Sequence, residues 1–363
     1  MASSDLQTTI SLEHLQRLTD SCGIIQHAEY MIPDYQSGYT TDDNARALAA
    51  VANHYLLFQD PLSRSLAVTY LAFLRYAQRE DGRFHNFFSY DRRPCDEVGS
   101  DDCFGRTLGS LAYLLYAPPD PNLIAPVERM FYRALPWVER LEHPRSKAMC
   151  ILAFYRWWQA RPVQREEAAE RLQRLAMNLL DCYREHNRAD WQWFLPEMTY
   201  ANANLPEALF RAYQVTGEQE YLTVATRTMA FLCEKVFHTG KLSIIGNNGW
   251  HNANGGHPAE YDQQPIDAAA MVEAALAAFD ATKQTTHLRH AGLAFDWFFG
   301  SNSKGVSVYD PKTGGCFDGL TAAGVNMNQG AESSVALLQA QLSMLEAREK
   351  HSVIQPLNEE AIA

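Results

Sequence analysis

The sequence predicts an all-α protein in which six outer and six inner helices alternate along the chain and close into an (α/α)6 toroid. Three observations support this prediction. Six segments carry apolar residues with the period of an amphipathic helix. Six other segments, which alternate with them, are apolar nearly all round. The inner segments start about 44 to 64 residues apart, which is the spacing of a helical-hairpin repeat.

The outer helices are predicted from segments with charge on one face and apolar side chains on the other, as is typical of surface helices. The second of them places Leu62, Leu66 and Leu74 on one side and stops before Gly82. The six predicted outer segments are residues 6–20, 62–78, 123–141, 165–186, 219–236 and 286–299.

The inner helices are predicted from apolar residues on most faces, since such a helix must be buried on most faces. The fifth of them reads IDAAAMVEAALAAF from Ile266 to Phe279, and its many alanines allow close helix approach. The inner segments are residues 42–57, 101–116, 145–158, 205–213, 265–280 and 329–346. Six such hairpins form one toroidal domain over residues 1–350, followed by a C-terminal tail over residues 351–363.

Charge and composition limit the partners. A formal net charge of −12 repels phosphate backbones and anionic lipid, so nucleic-acid and membrane partners are not expected. The N-terminal stretch lacks the features of a secretory signal. The seven cysteines never form a C-x-x-C pair, which favours free thiols in the cytoplasm. The sequence leaves the oligomeric state open.

The connectors differ in length in a regular way. Links from an inner to an outer helix are short, whereas most links from an outer to an inner helix are long, namely residues 80–100, 187–204, 237–264 and 300–328. Long loops in compact domains are usually functional or disordered, and the many aromatic, Asn and Gly residues here argue against disorder. We expect these loops to form a walled funnel over the inner-helix starts, with short hairpins near residues 241–245 and 306–309.

Acidic residues recur at those starts. The first two inner helices are near copies, with Asp42, Asp43 and Arg46 in one and Asp102 and Arg106 in the other. The later inner helices contribute the acids Glu207, Asp267 and Glu332, whereas the third inner helix has a basic start.

Two interpretations of these acids remain. An acid at a helix start can simply cap free N–H groups, and this is the interpretation that we give to Asp42 and Asp101. Alternatively, a ring of carboxylates surrounds a sugar, because glycosidic cleavage needs one protonated carboxyl and one ionised carboxyl. On this hypothesis Asp102 and Glu207 form the acid/base pair, with Asp43, Asp267 and Glu332 as alternatives, while Arg46 and Arg106 orient carboxylates.

Polar and aromatic loop residues are candidate substrate ligands, because aromatic rings stack on sugars and amides bond hydroxyls. Packing of loop against toroid is the competing interpretation of the aromatic residues. The chain has no zinc-ligand spacing, phosphate loop or dinucleotide motif, so no metal or other cofactor is predicted. The candidate ligands, besides the two arginines, are Asn86, Trp191, Trp193, Glu197, Tyr200, Asn204, Trp250, His251, His257, Gln264 and Asn328.

Taken together, the repeats, the Trp-rich loops and the acids resemble the six-hairpin glycosidase superfamily. That superfamily includes inverting glycoside hydrolases, unsaturated glucuronyl hydrolases and isomerases like N-acylglucosamine 2-epimerase. The stretches GYTTDDNARAL (residues 38–48) and NQGAES (residues 328–333) are also similar to uncharacterised bacterial proteins associated with glycosyltransferases. The resemblance implies the fold over almost the whole chain and a carbohydrate substrate.

The sequence therefore predicts a glycoside hydrolase, of the inverting type, that acts on an oligosaccharide. Two alternatives stay open. One is an epimerase or isomerase with His251 or His257 as proton shuttle, although the resemblance implies paired late histidines where this chain has Asp267 and Glu332. The other is a toroid that binds carbohydrate without turning it over; a terpene-cyclase-like toroid is remote, because the loops are too polar.

Overall fold

A computed structural model describes residues 10–351 of the chain. Residues 1–9, where the first predicted helix begins, and residues 352–363, which are all but the first residue of the predicted tail, lie outside the described residues. The inner helices are α2 (Thr41–Phe58), α4 (Asp101–Tyr116), α6 (Pro144–Ala160), α8 (Asn204–Thr216), α10 (Pro265–Thr282) and α12 (Ala331–His351). The outer helices are α1 (Glu13–Leu18), α3 (Pro61–Ala77), α5 (Ile124–Ala134), α7 (Arg165–His186), α9 (Gln219–Val236) and α11 (Thr285–Asp296).

The inner helices form a closed ring. Each packs against the next, from α2 through α4, α6, α8 and α10 to α12, and α12 packs back on α2. Helices α3, α5, α7, α9 and α11 each pack on the inner helix that precedes them in the chain, and the short α1 packs on α12. The predicted (α/α)6 toroid is confirmed. In the part of the chain that the structure describes, every helix is too short or too polar to cross a bilayer.

Alanine and large aromatic side chains explain why the ring packs tightly. In α10, Ala268, Ala274, Ala275, Ala277 and Ala278 are fully buried, so neighbouring inner helices approach closely on both sides. The space between the inner and outer layers is filled by larger side chains that are also fully buried, including Trp157, Trp297, Tyr70, Phe131 and Phe210.

The helix starts do not use the acids that the sequence analysis assigned as caps. Thr40 caps α2, and its hydroxyl accepts from the Asp43 backbone N–H at 3.0 Å. Ser100 caps α4 in the same way through Cys103 N–H at 3.2 Å. The cap interpretation of Asp42 and Asp101 is therefore wrong, because a hydroxyl one or two residues upstream already takes that position.

The long loops are joined to one another by two-residue strands at the N-terminal ends of the inner helices. β3 (Tyr39–Thr40) pairs with β4 (Phe87–Phe88), and β5 (Glu197–Met198) pairs with β8 (His251–Asn252). Three local hairpins complete the set, namely β1 (Ala28–Glu29) with β2 (Ile32–Pro33), β6 (Phe237–His238) with β7 (Lys241–Leu242), and β9 (Leu320–Thr321) with β10 (Gly324–Val325). The predicted hairpin near residues 241–245 is thus present, while Tyr309 makes only an isolated bridge with Cys316.

Gly38 lies where the loop that precedes α2 meets the loop that precedes α4, and its position requires glycine. Its φ is 65°, and a Cβ atom there would lie 2.1 Å from the carbonyl oxygen of Phe88 in β4. We expect Gly38→Ala to lower the free energy of unfolding by about 1–3 kcal/mol, since both the backbone conformation and the contact oppose a side chain. Urea denaturation measures this loss. Gly292→Ala in α11, where a Cβ meets nothing within 4 Å, is the control and is expected to stabilise slightly; equal behaviour of the two variants would contradict the argument.

Candidate active site

A polar cavity of about 460 Å³ opens where α2 and α12 begin. We call it the rim cavity. Its charged lining comes from the starts of α2 and α12 and from the loop that precedes α12. Its remaining walls come from the loops that precede α2, α4, α10 and α12. The charged side chains that line it are Asp42, Asp43, Arg46, Asp318 and Glu332.

Arg46 holds three carboxylates of the rim cavity together. Its Nη2 lies 2.8 Å from Asp42 Oδ2, 3.2 Å from Asp43 Oδ1 and 2.7 Å from Glu332 Oε2. The residue is only 7% exposed, so its charge-assisted contacts with the largely buried Asp42 and Asp43 side chains are poorly screened. The Glu332 side chain is 41% exposed, and solvent screens that contact more strongly. Its Nε and Nη1 have no hydrogen-bond partner among the described residues, and they are donors that a substrate hydroxyl could use.

Asp43 is held in its protonated form near neutral pH. Burial raises the pKa of this carboxyl to about 7, against the opposing effect of Arg46 and with further help from the negative charges of Asp42 and Glu332. Thr40 donates its hydroxyl to Asp43 Oδ2 at 2.6 Å and so fixes the orientation of the carboxyl. A buried carboxyl with a pKa near the working pH is suited to donate a proton.

Asp42, the preceding residue, has the opposite tendency. Burial alone would raise its pKa, but Arg106 and Arg46 together lower it. Arg106 Nη1 donates to Asp42 Oδ2 at 2.5 Å, so this arginine reaches across from α4 to the neighbouring helix instead of pairing with Asp102 on its own. The two adjacent carboxyls therefore prefer different charge states, which is the pattern expected of acid/base sites.

Asp267, at the start of α10, is a further acid close to this site, although it is not among the residues that line the rim cavity. Burial, with a contribution from the negative charge of Glu332, raises the pKa of Asp267 to about 7. The Ala201 backbone N–H donates to Oδ1 at 2.7 Å and acts in the opposite direction, because it stabilises the ionised form. The Oδ2 atom of Asp267 has no partner among the described residues. Glu332 raises the pKa of both Asp43 and Asp267, which places its carboxylate near the two of them.

Asp102 is held by three donors and is poorly suited to donate a proton. Arg145 Nη1 lies 3.2 Å from its Oδ2, Tyr200 OH donates to the same oxygen at 2.5 Å, and Ser146 Oγ donates to Oδ1 at 2.6 Å. Although burial alone would raise its pKa, Arg145, Ser146 and Tyr200 keep it below its usual value. The cluster joins α4 to α6 and to the loop before α8, with the Arg145 guanidinium 3.7 Å from the centre of the Tyr200 ring.

Glu207 lies away from the rim, contrary to the expectation that it faces the other acids. It lines a separate cavity together with Glu273, which is more than two turns into α10, and with Glu346 near the end of α12. The hypothesis of an Asp102–Glu207 pair therefore lacks a shared cavity.

The buried Glu207 makes stability depend on pH. Burial, with a contribution from Glu273, raises its pKa from 4.5 to about 8. The folded protein then keeps a proton that the unfolded chain releases, so the stability contributed by this group is lost as pH rises from 4.5 to 8. Because glutamine does not titrate, we expect Glu207→Gln to become steadily more stable relative to the wild type over that window. Urea denaturation at pH 5 and pH 8 measures the difference, and a difference that is equal at the two pH values would contradict the assignment.

Of the predicted aromatic ligands, two pack the loop against the toroid and two lie at the Asp102 cluster, and none of the four lines the rim cavity. Trp193 is fully buried and Trp191 is 3% exposed, with its indole N–H bonded to the Leu195 carbonyl at 2.7 Å. Both pack the loop against the toroid, which corrects the expectation that they stack on substrate. Tyr200 lies at the Asp102 cluster, and Trp250 packs near it with ring centres 6.2 Å apart.

The predicted histidine and amide ligands also separate. Asn86, Gln264 and Asn328 line the rim cavity as expected, and Asn204 lines a neighbouring cavity with Arg106. In contrast, His251 is 7% exposed and packs on Trp191, and His257 and Glu197 are exposed on the loops; none of these three lines the rim cavity.

Some rim residues were not predicted. His27 and Asn326 line the cavity, and so does Asp318, whose pKa is raised by burial and which accepts the Gly330 backbone N–H at 2.9 Å. A signal for Asp318 was present, since it precedes Gly319 in a long loop that leads to an inner helix. Over residues 10–351, no three metal-ligand side chains gather in a way that could hold an ion.

Sequence comparisons give no relative, whereas structural comparisons give many. No protein-family model and no curated protein matches the sequence. A D-mannose isomerase is similar in structure, with a TM-score of 0.74 at 13% identity over 94% of this chain and 97% of that one. A sugar epimerase from a ruminal bacterium gives 0.75 at 13% identity over 96% and 98%. An alpha-mannanase of glycoside hydrolase family 76 from Bacteroides thetaiotaomicron gives 0.67 at 14% identity over 96% and 95%. The chain thus has the six-hairpin fold that its sequence resembles.

Proposed function

We propose that the rim cavity is the active site of an enzyme that acts on a carbohydrate, and that the reaction its geometry supports best is glycoside hydrolysis. One observation carries the proposal: a carboxyl with a pKa of about 7, Asp43, shares the Nη2 atom of Arg46 with a second carboxylate, Glu332. In this role Asp43 protonates the leaving oxygen of the substrate, and Glu332 acts on the anomeric carbon directly or through water.

The distances bear on the stereochemical course. Because Asp43 Oδ1 and Glu332 Oε2 both contact one nitrogen, at 3.2 and 2.7 Å, they lie within about 6 Å of each other. That upper limit lies below the separation of about 6.5–9.5 Å found in inverting enzymes and includes the 5–5.5 Å of retaining ones. For this pair of acids the limit supports retention, where the sequence analysis predicts inversion.

The remaining walls suit a polyhydroxy ligand. The amides of Asn86, Gln264 and Asn328 and the spare nitrogens of Arg46 provide donors and acceptors for hydroxyl groups. Phe87 lines the cavity and is 48% exposed, so its ring is free to pack on a sugar face at the mouth. These groups support a substrate of at least one sugar ring in the cavity.

A sugar epimerase or isomerase is the second candidate, and the structural comparisons favour it. The isomerase and epimerase structures give TM-scores of 0.74 and 0.75, against 0.67 for the mannanase. Such a reaction moves a proton on and off a carbon next to a carbonyl, and Asp43 or Asp267, each with a pKa of about 7, could do so. His27 is the histidine that lines the rim cavity in the described part of the chain, whereas His251 and His257 do not.

Product analysis in isotopically labelled water distinguishes the candidates. Oligosaccharides and free aldoses are each incubated with the enzyme in H₂¹⁸O and, separately, in D₂O. Hydrolysis gives new reducing ends that carry ¹⁸O, and NMR of the first-formed anomer reports retention or inversion. Epimerisation or isomerisation leaves the number of glycosidic bonds unchanged and introduces deuterium at carbon 2 of an aldose product or at carbon 1 of a ketose product. Binding of oligosaccharides without either product would contradict the proposal and favour a non-catalytic toroid.

A further inference from the structure

A second cavity runs along the toroid axis towards the C-terminal ends of the inner helices. It consists of two adjoining spaces of about 160 and 250 Å³, which share Tyr155, Arg156, Glu207, Arg211, Glu273 and Glu346 as lining residues. We call it the axial cavity. None of its lining residues lines the rim cavity. The reaction proposed for the rim cavity therefore assigns these residues no role.

Polar atoms in this cavity lack partners. Glu207 is 6% exposed, its Oε2 has no hydrogen-bond partner among the described residues, and its nearest cation, Arg211 Nε, is 3.9 Å away. The hydroxyl of Tyr113, a residue that is 9% exposed, has no partner either. Leaving such groups unpaired in a protein interior is costly, by about 1–3 kcal/mol each. Both residues line the same space, which indicates that a bound molecule completes their hydrogen bonds.

The charges around the cavity balance and so select against an ion. Arg211 pairs with Asp280 at 3.2 Å, and Lys350 pairs with the same carboxylate at 3.1 Å. Arg156 bonds the side chain of Gln159 at 3.2 Å, and the negative charge of Glu346 acts on it. An anion would face the carboxylates of Glu273, Asp280 and Glu346, and a cation would face Arg156, Arg211 and Lys350. Glu207 adds no charge while it keeps its proton. A neutral ligand with several hydroxyl groups avoids both penalties and can pair with donors and acceptors alike.

We propose that the axial cavity is a second ligand site, which binds a neutral monosaccharide-sized polyol through Glu207 and Tyr113. Each of its two spaces is smaller than the range of about 300–1,000 Å³ that is typical of sites for drug-sized ligands, so one small molecule is the expected occupant. The opening at Lys350 and His351 lies at the end of the toroid away from the inner-helix starts. Among residues 10–351, this opening leads to the axial cavity without passing the rim cavity.

Hydrogen exchange with D-mannose and D-glucose as probes tests the site. In the wild type, either sugar is expected to protect the helix segments 204–216 and 270–282 at the axial cavity. Glu207→Met keeps the volume but removes the polar atoms, and Tyr113→Phe removes only the hydroxyl. Each is expected to weaken binding at these segments by about tenfold or more, since a hydrogen bond to the ligand is lost. Asp43→Asn at the rim cavity is the matched control, and it is expected to leave axial protection unchanged.

Three results would overturn the proposal. The first is protection confined to the rim segments 38–46 and 326–334. The second is unchanged axial protection in the Tyr113→Phe variant, which is conservative enough to fold even if Glu207→Met does not. The third is stronger axial protection by inorganic phosphate than by either sugar, which would make the cavity an anion site. If the reaction proposed for the rim cavity proves wrong, these measurements still test the axial cavity, because hydrogen exchange reports binding and does not require turnover.

Discussion

Replacing Asp43 by Asn is expected to reduce turnover by about 10²–10⁴-fold, the usual contribution of a general acid. The substitution keeps the size of the side chain and its contact with Thr40 but removes the proton that the substrate would receive. The fold should persist, because asparagine has nearly the shape of a protonated aspartate and, like it, carries no charge beside Asp42 and Glu332. Steady-state kinetics on the substrate found by product analysis measures the effect.

The pH profile links that loss to Asp43 itself. Because the pKa of Asp43 is about 7, the fraction of enzyme with the proton in place falls as pH rises above 7, and kcat/KM should fall about tenfold per pH unit there. Asp101→Asn, at the start of α4 and outside the rim cavity, is the control and should leave the profile unchanged. An Asp43→Asn variant that keeps half of the wild-type rate, or a wild-type rate that does not change between pH 6 and 9, would remove Asp43 from the mechanism.

Replacing Arg46 by Gln is expected to have the largest effect on stability, with a loss of about 3–5 kcal/mol in the free energy of unfolding. Without the guanidinium, Asp42, Asp43 and Glu332 would repel one another in a buried site. The loss should be greater at pH 8 than at pH 5, because protonation of the carboxyls relieves this repulsion. Arg46→Lys should recover only part of the stability, since one ammonium group cannot reproduce the planar fork.

Urea denaturation at both pH values measures these changes. Arg93→Gln removes a cation from an ion pair with Asp91 in which the arginine side chain is 81% exposed, so this variant serves as the control and no measurable change is expected. If Arg46→Gln were as stable as the Arg93 variant, the contacts of Arg46 with the three carboxylates would not stabilise the fold. The raised pKa of Asp43 would then need another explanation.

The fold was predictable because its signals are local. The Ala-rich segment of α10 is apolar on nearly every face, so burial on every side follows from helix geometry. The acids Asp43, Asp267 and Glu332 were also predictable as a group at one end of the ring, because parallel inner helices must bring their first turns to one end. Of the three, Asp43 and Glu332 line the rim cavity. The amides Asn86, Gln264 and Asn328 followed from the same reasoning about the loops over that end.

The sequence-based predictions were wrong for residues whose position or pairing depends on neighbours from other helices. Nothing in the local sequence shows that Glu207 lines a cavity with Glu273 and Glu346, which are far along two other inner helices. Arg106 occupies the same position relative to Asp102 as Arg46 does to Asp42, yet it pairs with Asp42 on the neighbouring helix. Trp191 and Trp193 are of the residue type that often stacks on sugars, but both are buried and pack their loop against the toroid.

By itself, the sequence determined the (α/α)6 toroid, the end at which the long loops gather, and the acidic character of that end, because helical periodicity and loop length are properties of the chain. Only the tertiary structure decided which carboxyl is protonated, which is paired and which is removed to a second cavity. Those properties depend on how deeply each carboxyl is buried and on charges carried by other helices. Electrostatic interactions weaken with distance, and the distances between helices cannot be calculated from the sequence alone.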